Sequence, residues 1–282
     1  MSILVSINCT TYNHEAYIAD AIDSFLMQKT NFKFEILIGE DCSTDCTRNI
    51  VENYSKRYPG MIKIITSNEN VGGRENMVRL KENSKGKYIA ICEGDDYWTD
   101  PFKLQKQVDL MERNQEFSLC VHATNIVTVD KKLTGNVVKP YNETRITPTE
   151  DIILSDGSFF ATNSILYRKE LLNNPPEFFM NAHVGDYPLV LILSSRGRVF
   201  YIDEVMSSYR TGVKGSWTER TFSGEDRSYK FVKNYENDIW LLNEFNKYTN
   251  YIYNDLIKNA VSKRKGWIMF EIKKYLEKLK NL

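Results

Sequence analysis

The sequence lacks both of the glycine-rich loops by which many proteins bind phosphate groups. It contains no GxGxxG segment, which marks dinucleotide-binding sheets, and no GxxxxGK[ST] segment, which marks P-loop enzymes. The run Asn70-Val71-Gly72-Gly73-Arg74 resembles neither pattern. These absences weigh against dehydrogenases and kinases. Any phosphate bound by this chain must therefore be held mainly by a metal ion and by side chains.

Long apolar runs and leader-like features are also missing. No segment reaches the roughly 18 apolar residues that a membrane span needs. The first residues enter a strand-like run without the basic stretch and cleavage site of a signal peptide. The 5 cysteines include no CxxC pair, which favours reduced thiols over disulfides and gives no zinc-binding spacing. We therefore expect a cytoplasmic protein.

An excess of positive charge is absent as well. Lys and Arg together number 37, and Asp and Glu together also number 37. Nucleic-acid-binding domains usually carry a clearly basic surface. We therefore expect no nucleic-acid partner.

Strand-like and helix-like patterns alternate over the first 100 residues of the chain. Apolar spacing predicts strands over 3–10, 34–39, 62–66 and 88–92 and helices over 16–28, 44–58, 74–82 and 103–113. Ser43 or Thr44 is a plausible N-cap of the second helix, and Asp45 suits its first turn. Such alternation implies a parallel sheet with helices on both faces.

The pattern changes beyond Pro101. Strands are predicted over 117–129, 159–168, 199–202 and 205–209, a helix over 186–195, an irregular loop region over 134–158 and mostly helix from 226 onward. Pro188 is acceptable in the first turn of the 186–195 helix.

Acidic segments follow two of the predicted strands at the point where each strand ends. The second strand is followed by Glu40-Asp41-Cys42-Ser43-Thr44-Asp45 and the fourth by Glu93-Gly94-Asp95-Asp96-Tyr97-Trp98. The first strand ends in Thr10-Thr11-Tyr12-Asn13. In parallel sheets of this kind ligands bind at the carboxyl ends of the strands, so all three segments should lie on one edge.

The carboxylates of the fourth segment suit Mg²⁺ or Mn²⁺, which prefer oxygen ligands and often share them with substrate phosphates. Taken alone, an acidic turn that caps the next helix is slightly favoured. Asp41 could accept a hydrogen bond from a base or a ribose, or it could cap a helix. Tyr12 could stack on a base or simply pack at the sheet edge. Asp186 could be a helix cap or a general base.

Taken together, these segments resemble the family 2 glycosyltransferases. That family has the GT-A fold, an α/β fold with a Rossmann-like, mostly parallel central sheet flanked by helices. The matching pieces are residues 5–13, residues 38–45, Asn70-Val71-Gly72 with Arg74 and Asn76, residues 93–98, Asp186-Tyr187 and Tyr209-Arg210. Each motif is weak alone, but their order and their places at strand ends are typical of the family.

The resemblance implies a role for each matching residue. The nucleotide would be held by Thr10, Tyr12, Glu40 and Asp41, with Arg74 on base or phosphate and with Glu93 and Asp95 facing the ribose or metal. Asp95 or Asp96 would bind Mn²⁺ or Mg²⁺, and Asp186 would be the catalytic base. This chain has Glu40 and Glu93 where the family usually has aspartate, but both positions keep a carboxylate.

The implied reaction is transfer of a sugar from a nucleotide-diphosphate donor, such as a UDP-sugar, with inversion at the anomeric carbon. The acceptor would be a carbohydrate, a lipid-linked or a protein hydroxyl, in surface polysaccharide or glycoconjugate synthesis. We expect a GT-A domain over 1–220, with a nucleotide-binding half (1–100) and an acceptor-binding half (101–220), and a helical extension over 221–282. Thr162, Ser164 and Trp217 are candidate acceptor or lid residues, with Gly212 and Gly215 allowing loop movement.

The tail carries an apolar stripe with lysines around it. Ile268, Ile272, Tyr275, Leu276 and Leu279 follow helical spacing. Such a helix can dock on its own domain, pair with a second subunit to form a homodimer, or lie on the inner face of an anionic membrane. Packing against protein is the commoner use.

Two other functions fit part of the pattern. A nucleotidyltransferase also combines a nucleotide-binding sheet with metal-binding acids, but it would normally have a basic, glycine-rich loop after the first strand. A non-catalytic nucleotide-sugar-binding protein is less consistent with the presence of Asp95, Asp96 and Asp186 together.

Overall fold

A computed structural model of the chain describes residues 2–155, 157–224 and 226–280. Its strands are β1 (Ile3–Thr11), β2 (Lys33–Glu40), β3 (Ile62–Thr66), β4 (Tyr88–Ile91), β5 (Tyr97–Trp98), β6 (Phe117–Val127), β7 (Leu133–Val138), β8 (Arg145–Thr147), β9 (Leu166–Arg168) and β10 (Arg198–Arg210). Its α-helices are α1 (Ile18–Leu26), α2 (Thr47–Arg57), α3 (Gly73–Asn83), α4 (Lys103–Arg113), α5 (Thr149–Leu154), α6 (Glu177–Asn181), α7 (Asp186–Arg196), α8 (Trp217–Phe222), α9 (Arg227–Tyr248) and α10 (Asn254–Lys280).

One twisted sheet runs through the molecule in the order β3-β2-β1-β4-β9-β6-β10-β5, with β7 beside β6 and β8 beside β10. The strands β1, β2, β3 and β4 are parallel, as the alternating pattern predicted. The second half is mixed: β9 runs antiparallel to both β4 and β6, while β6 and β10 are parallel to each other. These directions put the carboxyl ends of β1, β2, β4 and β10 on the same edge of the sheet.

The core explains why the predicted periodicities hold in the first half of the chain. Apolar residues from α1, α4 and one face of β1 form one cluster, with Val5, Ile22 and Trp98 almost completely buried. Helix α7 and the middle of β6 lie in a second cluster on the other side of the sheet. Strand β2 contains the apolar run Ile36-Leu37-Ile38, as strands covered on both faces do, whereas β1 alternates apolar residues with the buried polar residues Ser6 and Asn8.

Several boundaries differ from the prediction. The predicted loop over 134–158 is wrong, since it contains β7, β8 and α5. Strand 159–168 is reduced to β9, preceded by a 3-10 turn over Thr162–Ser164. The two strands predicted over 199–209 are one strand with register shifts between 202 and 207. Strands β7 and β8 lie at sheet edges, where polar residues remain exposed and the apolar pattern is lost.

The start of α2 also corrects the prediction. The helix begins at Thr47 and follows Cys46, so neither Ser43 nor Thr44 is its N-cap. The Asp45 carboxylate accepts the Thr47 N–H at 2.9 Å, which confirms its place at the first turn. The hydroxyls of Ser43 and Thr47 instead bond the loop between β1 and α1. Ser43 Oγ accepts a hydrogen bond from the Asn13 N–H, and Thr47 Oγ1 accepts one from the His14 N–H.

The two C-terminal helices form a hairpin that shares the main core. Leu241, Phe245 and Ile257 are buried in the same cluster as α7 and β6. A buried ion pair joins the two helices, with Arg264 Nε 3.5 Å from Asp238 Oδ2. Arg264 also donates to Tyr187 Oη at 3.3 Å and to the Ser155 carbonyl. The hairpin is therefore packed on the domain through its polar as well as its apolar contacts.

The apolar stripe of the tail is only partly covered. Docking on the domain holds for the first half of α10, where Ile257, Ala260 and Arg264 are buried. The predicted docking is wrong for the second half of α10, where Ile272, Tyr275 and Leu276 are exposed. The side chain of Leu279 lies outside the described residues. No helix in the described part of the chain has both the length and the apolarity needed to cross a bilayer.

We expect Arg264→Ala to lower the free energy of unfolding by about 3–5 kcal/mol, because it leaves the Asp238 carboxylate buried without its guanidinium partner. Urea unfolding followed by circular dichroism measures the change. Lys265→Ala is the matched control, since Lys265 is the next residue on the helix and exposed. A change in both variants within about 0.5 kcal/mol would show that the buried pair contributes nothing.

Candidate active site

The end of β1 gathers two of the acidic segments. The Gly94 N–H donates to the Thr10 carbonyl at 2.9 Å, and the Asp41 N–H donates to the Thr11 carbonyl at 3.1 Å. Space at this junction is small, because a Cβ on Gly94 would lie 2.6 Å from Thr11 Oγ1. The segments after β2 and β4 are thus tied to either side of the β1 end, as predicted from strand direction.

Three carboxylates interact electrostatically at this edge. Burial, together with the nearby charges of Asp95 and Asp186, raises the pKa of Glu93 to about 8. Burial also raises the pKa of Asp186, against hydrogen bonds from the Tyr187 N–H and from Thr162 Oγ1, the latter 3.2 Å from Asp186 Oδ2. The fold therefore brings Asp186 from the second half of the chain to the acidic segment after β4.

Asp96 is the structural member of the acidic segment. It is 1% exposed, and both of its carboxylate oxygens accept hydrogen bonds. Oδ1 accepts the Arg210 backbone N–H at 2.8 Å, and Oδ2 accepts the Asn163 amide at 2.8 Å. Asp96 therefore ties the turn after β4 to the end of β10 and to the turn before β9.

The nitrogen and the oxygen of the Asn163 side-chain amide both belong to the hydrogen-bond network around Asp96. Besides Asp96, its Nδ2 donates to the Ser208 carbonyl at 3.1 Å, and its Oδ1 accepts Ser207 Oγ at 2.7 Å. Its own carbonyl accepts the indole N–H of Trp98 at 2.9 Å. Asn163 is completely buried, so removal of its amide would leave the buried Asp96 Oδ2 atom without its donor.

Arg210, the last residue of β10, belongs to the same hydrogen-bond network. Its guanidinium donates to the Asp95 carbonyl at 2.6 Å and to Asp20 Oδ2 at 2.9 Å. The rings of Tyr17 and Tyr97 lie 4.7 and 5.2 Å from its Cζ. Arg210 thereby holds the Asp95 backbone against α1.

Asp95 is left as the accessible carboxylate. Its side chain receives no hydrogen bond from the described residues, and its Oδ2 lies 3.9 Å from His14 Nε2. No group of three His, Cys, Asp or Glu side chains within those residues is arranged to hold a metal alone. Mg²⁺ and Mn²⁺ commonly take one or two carboxylates and complete their shell with phosphate oxygens and water. The Asp95 carboxylate fits this requirement, since it would supply one oxygen ligand and leave the rest of the shell to phosphate and water.

Glu40 and Asp41 are both buried and both organise backbone. Glu40 Oε1 accepts the Ser43 N–H at 2.6 Å, and Glu40 Oε2 lies 3.4 Å from Arg48 Nε. The two Asp41 oxygens accept the N–H groups of Val71 and Gly72, each at 2.9 Å. Asp41 thus fixes the loop that leads into α3.

Arg74 reaches away from these carboxylates toward the loop before α7. Its Nη2 donates to the Ala182 carbonyl at 2.9 Å and to the Val184 carbonyl. Its Cζ lies 5.0 Å above the ring of Phe179.

The remaining predicted residues occupy different environments. Thr10 is partly buried at the β1 end, and Tyr12 just beyond it is 42% exposed. Trp217 is 40% exposed at the start of α8 and packs edge-on against Phe222. Ser164 is completely buried with its hydroxyl on the Ala161 carbonyl, so it is not available to an acceptor from this position.

Sequence reasoning gave no role to Asn163 or Arg210, although Arg210 lies in one of the matching motifs. Both act through contacts with residues more than 60 positions away, which no local pattern records. One signal was available in the sequence: Arg210 directly follows a predicted buried strand, and acidic segments follow other strands of the same sheet.

Comparison with known proteins finds the model of the family described as "Glycosyl transferase family 2" over residues 6–174, more than half of the chain. An uncharacterized protein of Mycobacterium tuberculosis is 34% identical over 213 residues, covering 76% of this chain and 60% of that protein. TuaG of Bacillus subtilis, whose name assigns it provisionally to teichuronic acid biosynthesis as a glycosyltransferase, is 32% identical over 151 residues, 48% of this chain and 59% of TuaG. The chain thus spans about 60% of the length of these relatives.

Solved structures show the same fold. Staphylococcus aureus TarS (residues 1–349) in complex with UDP-GlcNAc has a TM-score of 0.61 at 18% identity and covers 93% of this chain and 80% of that one. The mannosyltransferase PcManGT of Pyrobaculum calidifontis in complex with GDP-Man and Mn²⁺ has a TM-score of 0.61 at 14% identity, covering 94% and 74%. The GT-A fold predicted from the motifs is thereby confirmed.

We expect Asn163→Ala to lower the free energy of unfolding by about 3 kcal/mol, because it leaves the Asp96 Oδ2 atom buried without its hydrogen-bond donor. Equilibrium unfolding in guanidinium chloride measures this. Asn136→Ala on the exposed strand β7 is the control, with an expected change within about 0.5 kcal/mol. Equal stability of the two variants would contradict a structural role for the hydrogen bonds of the Asn163 side chain.

Proposed function

Because the chain belongs to glycosyl transferase family 2, we propose that it transfers a sugar from a nucleotide-diphosphate donor to an acceptor hydroxyl. The observation that carries this proposal is the meeting of Glu93, Asp95 and Asp186 at one edge of the sheet. Asp186 lies far from Glu93 and Asp95 in the sequence, and the fold brings the start of α7 to the segment that follows β4.

A UDP-sugar is the proposed donor. Support comes from the fold neighbour TarS, which was solved with UDP and with UDP-GlcNAc. The neighbour solved with GDP-Man makes GDP-sugars the alternative for testing. The name of TuaG supports an acceptor in surface polysaccharide or glycoconjugate synthesis.

Asp186 is the proposed general base. Its Oδ1 is taken by the Tyr187 N–H and its Oδ2 by Thr162, which orients the carboxylate while leaving lone pairs on both oxygens. Burial raises the pKa of Asp186, which makes it a better proton acceptor from a sugar hydroxyl. Attack by the deprotonated hydroxyl in a single displacement inverts the anomeric carbon.

Asp95 is the proposed direct ligand of Mn²⁺ or Mg²⁺, with Asp96 holding the turn behind it. A bound cation would supply positive charge to the departing diphosphate. Glu93 interacts electrostatically with both Asp95 and Asp186. Asp96 is closed off by its two hydrogen bonds.

The nucleotide would bind along the ends of β1 and β2. Tyr12 offers an exposed ring for stacking on a base. Asp41 still has unused lone pairs for a base N–H, and Thr10 and Glu40 line the same edge. The contacts of Asp41 with Val71 and Gly72 keep this edge in place.

The acceptor side would be formed by Thr162 and by α8 with Trp217. Tyr209 Oη and Thr218 Oγ1 lie 2.6 Å apart, so α8 is tied directly to the strand whose end holds Asp96. Gly212 and Gly215, both with φ near +80°, join this helix to β10. Such glycines allow the backbone rotation that a closing loop needs.

A nucleotidyltransferase and a non-catalytic nucleotide-sugar-binding protein are the alternatives. The former is not supported by any phosphate loop after β1, and the latter would not need an oriented base at Asp186. A turnover assay separates all three.

We expect Asp186→Asn to lower donor turnover by about 10²–10⁴-fold, the usual contribution of a general base, while UDP affinity stays within about twofold. We expect Asp95→Asn to remove the Mn²⁺-dependent part of UDP binding. A thermal-shift screen of UDP- and GDP-sugars with Mn²⁺ first selects the donor, and turnover is then measured with and without EDTA.

Calorimetry with UDP and Mn²⁺ provides the affinities. Loss of UDP binding in Asp186→Asn would argue against the base role. Binding of a sugar nucleotide without turnover by the wild-type enzyme, with any acceptor supplied, would support the non-catalytic alternative. Release of diphosphate from a nucleoside triphosphate and a sugar phosphate would support a nucleotidyltransferase.

We further propose that the second half of α10 lies on an anionic lipid surface. Its exposed apolar side chains include Met269, Ile272 and Leu276, and the aromatic Trp267 and Tyr275 flank them. The exposed cations of this region are Lys263, Lys265, Lys273 and Lys274, against the single exposed acid Glu277 within its described part. An apolar face with surplus lysine is complementary to acidic headgroups, whereas a second copy of the same helix would repel it.

We expect the protein to float with phosphatidylglycerol vesicles and not with phosphatidylcholine vesicles, and Ile272→Glu with Leu276→Glu to abolish flotation. Leu133→Glu, on the exposed strand β7, is the matched control and should float as wild type. Light scattering measures the mass in solution. A dimer that dissociates in the double variant, without vesicle binding, would identify a second copy as the occupant instead.

A further inference from the structure

The guanidinium of Arg74 joins the donor side of the sheet to the loop that precedes Asp186. Arg74 is the second residue of α3, whereas its two hydrogen-bond acceptors, the carbonyls of Ala182 and Val184, lie 108 and 110 positions away. Val184 is separated from Asp186 by Gly185 alone. The Phe179 ring covers the guanidinium at 5.0 Å, so Arg74 is enclosed by the residues that lead into α7.

The start of α3 is itself held firmly at the end of β2. Asp41 accepts the N–H groups of Val71 and Gly72, and Asn76 Nδ2 donates to the Gly39 carbonyl at 2.7 Å. Asn76 is buried and lies half a turn beyond Arg74. Arg74 therefore extends from a rigid base rather than from a free loop.

The direction of its hydrogen bonds distinguishes Arg74 from a nucleotide ligand. Nη2 is used by two backbone carbonyls, and Nη1 is buried without a partner among the described residues. Nη2 is therefore committed to the 182–184 backbone, and Nη1 is shielded from solvent. The charge of the Arg74 guanidinium lies near Asp186, where it opposes the effect of burial on that carboxyl.

We infer that Arg74 is a positioning residue that holds the 182–185 loop and thereby fixes Asp186 for proton abstraction. The inference rests on the proposed function, in which Asp186 is the base. It also connects the two halves of the reaction: the same loop that Asp41 bonds at the nucleotide edge starts the helix whose arginine sets the base.

Arginine suits this geometry better than lysine. Its planar guanidinium donates to two carbonyls from Nη2 while its face rests on an aromatic ring. A lysine ammonium can donate to carbonyl oxygens but has no planar face to stack on the ring. A base displaced by about 1 Å can cost 10²-fold in rate. The loss should appear in kcat and not in donor affinity, because no atom of Arg74 is proposed to contact the donor.

The test compares Arg74→Ala and Arg74→Lys with wild type, using the donor selected by the screen and UDP with Mn²⁺ for affinity. We expect kcat to fall about 10- to 100-fold in Arg74→Ala and less in Arg74→Lys, with the UDP dissociation constant within about twofold of wild type. Added guanidinium should restore part of the kcat of Arg74→Ala and none of that of Asp186→Asn. Arg79→Ala, on the same helix, is the charge-matched control with unchanged kcat.

The double variant Arg74→Ala with Asp186→Asn tests whether Arg74 acts on the reaction through Asp186. Arg74→Ala should not lower the residual rate of Asp186→Asn any further, and thermal melting checks that every variant is folded. A UDP dissociation constant that rises in step with the loss of rate would make Arg74 a nucleotide contact and overturn the inference. So would a normal kcat in Arg74→Ala. If wild type shows no turnover, or Asp186→Asn keeps full activity, the proposed function fails instead.

Discussion

The shared carboxylate of Asp96 is the contact on which the arrangement of the site depends. Its two oxygens bind the backbone of Arg210 and the amide of Asn163, so three parts of the chain separated by more than 40 residues each meet at one buried group. Burying a charged carboxylate is costly unless its oxygens are bonded, and here both are. Fixing Asp96 in this way leaves its neighbour Asp95 at the accessible edge, with its backbone held by the Arg210 side chain.

The two halves of the sheet were not equally predictable. In the first half, short runs rich in apolar and β-branched residues are bounded by polar loops, so 3–10, 34–39 and 88–92 were recognised within about one or two residues, the usual uncertainty of such boundaries. In the second half, β7 and β8 are edge strands with exposed polar residues, and their pattern resembles a loop. The register shifts inside β10 interrupt its alternation and divided it into two in the sequence.

The site shows the same limit. Acids placed directly after strands could be found, because strand direction alone decides that they share an edge. The contacts of Asn163, Arg210 and Arg74 depend on loops that return from distant positions, and neither spacing nor charge in the sequence encodes where those loops end. Family resemblance supplied the order of the motifs, whereas only coordinates show that Arg74 turns toward Val184.

The C-terminal hairpin has a consequence for how the chain can be divided in the laboratory. Asp238 contacts His183, three residues before Asp186, and Arg264 contacts Tyr187, the residue immediately after it. A fragment that ends near residue 220, where the sequence pattern changes, would lose both of these contacts. It would also expose apolar residues of α7 that pack in the same core as the hairpin. Chimeras and truncated expression clones that are to keep the geometry around Asp186 should therefore retain the hairpin at least through Arg264, and vary only the exposed helical end beyond it.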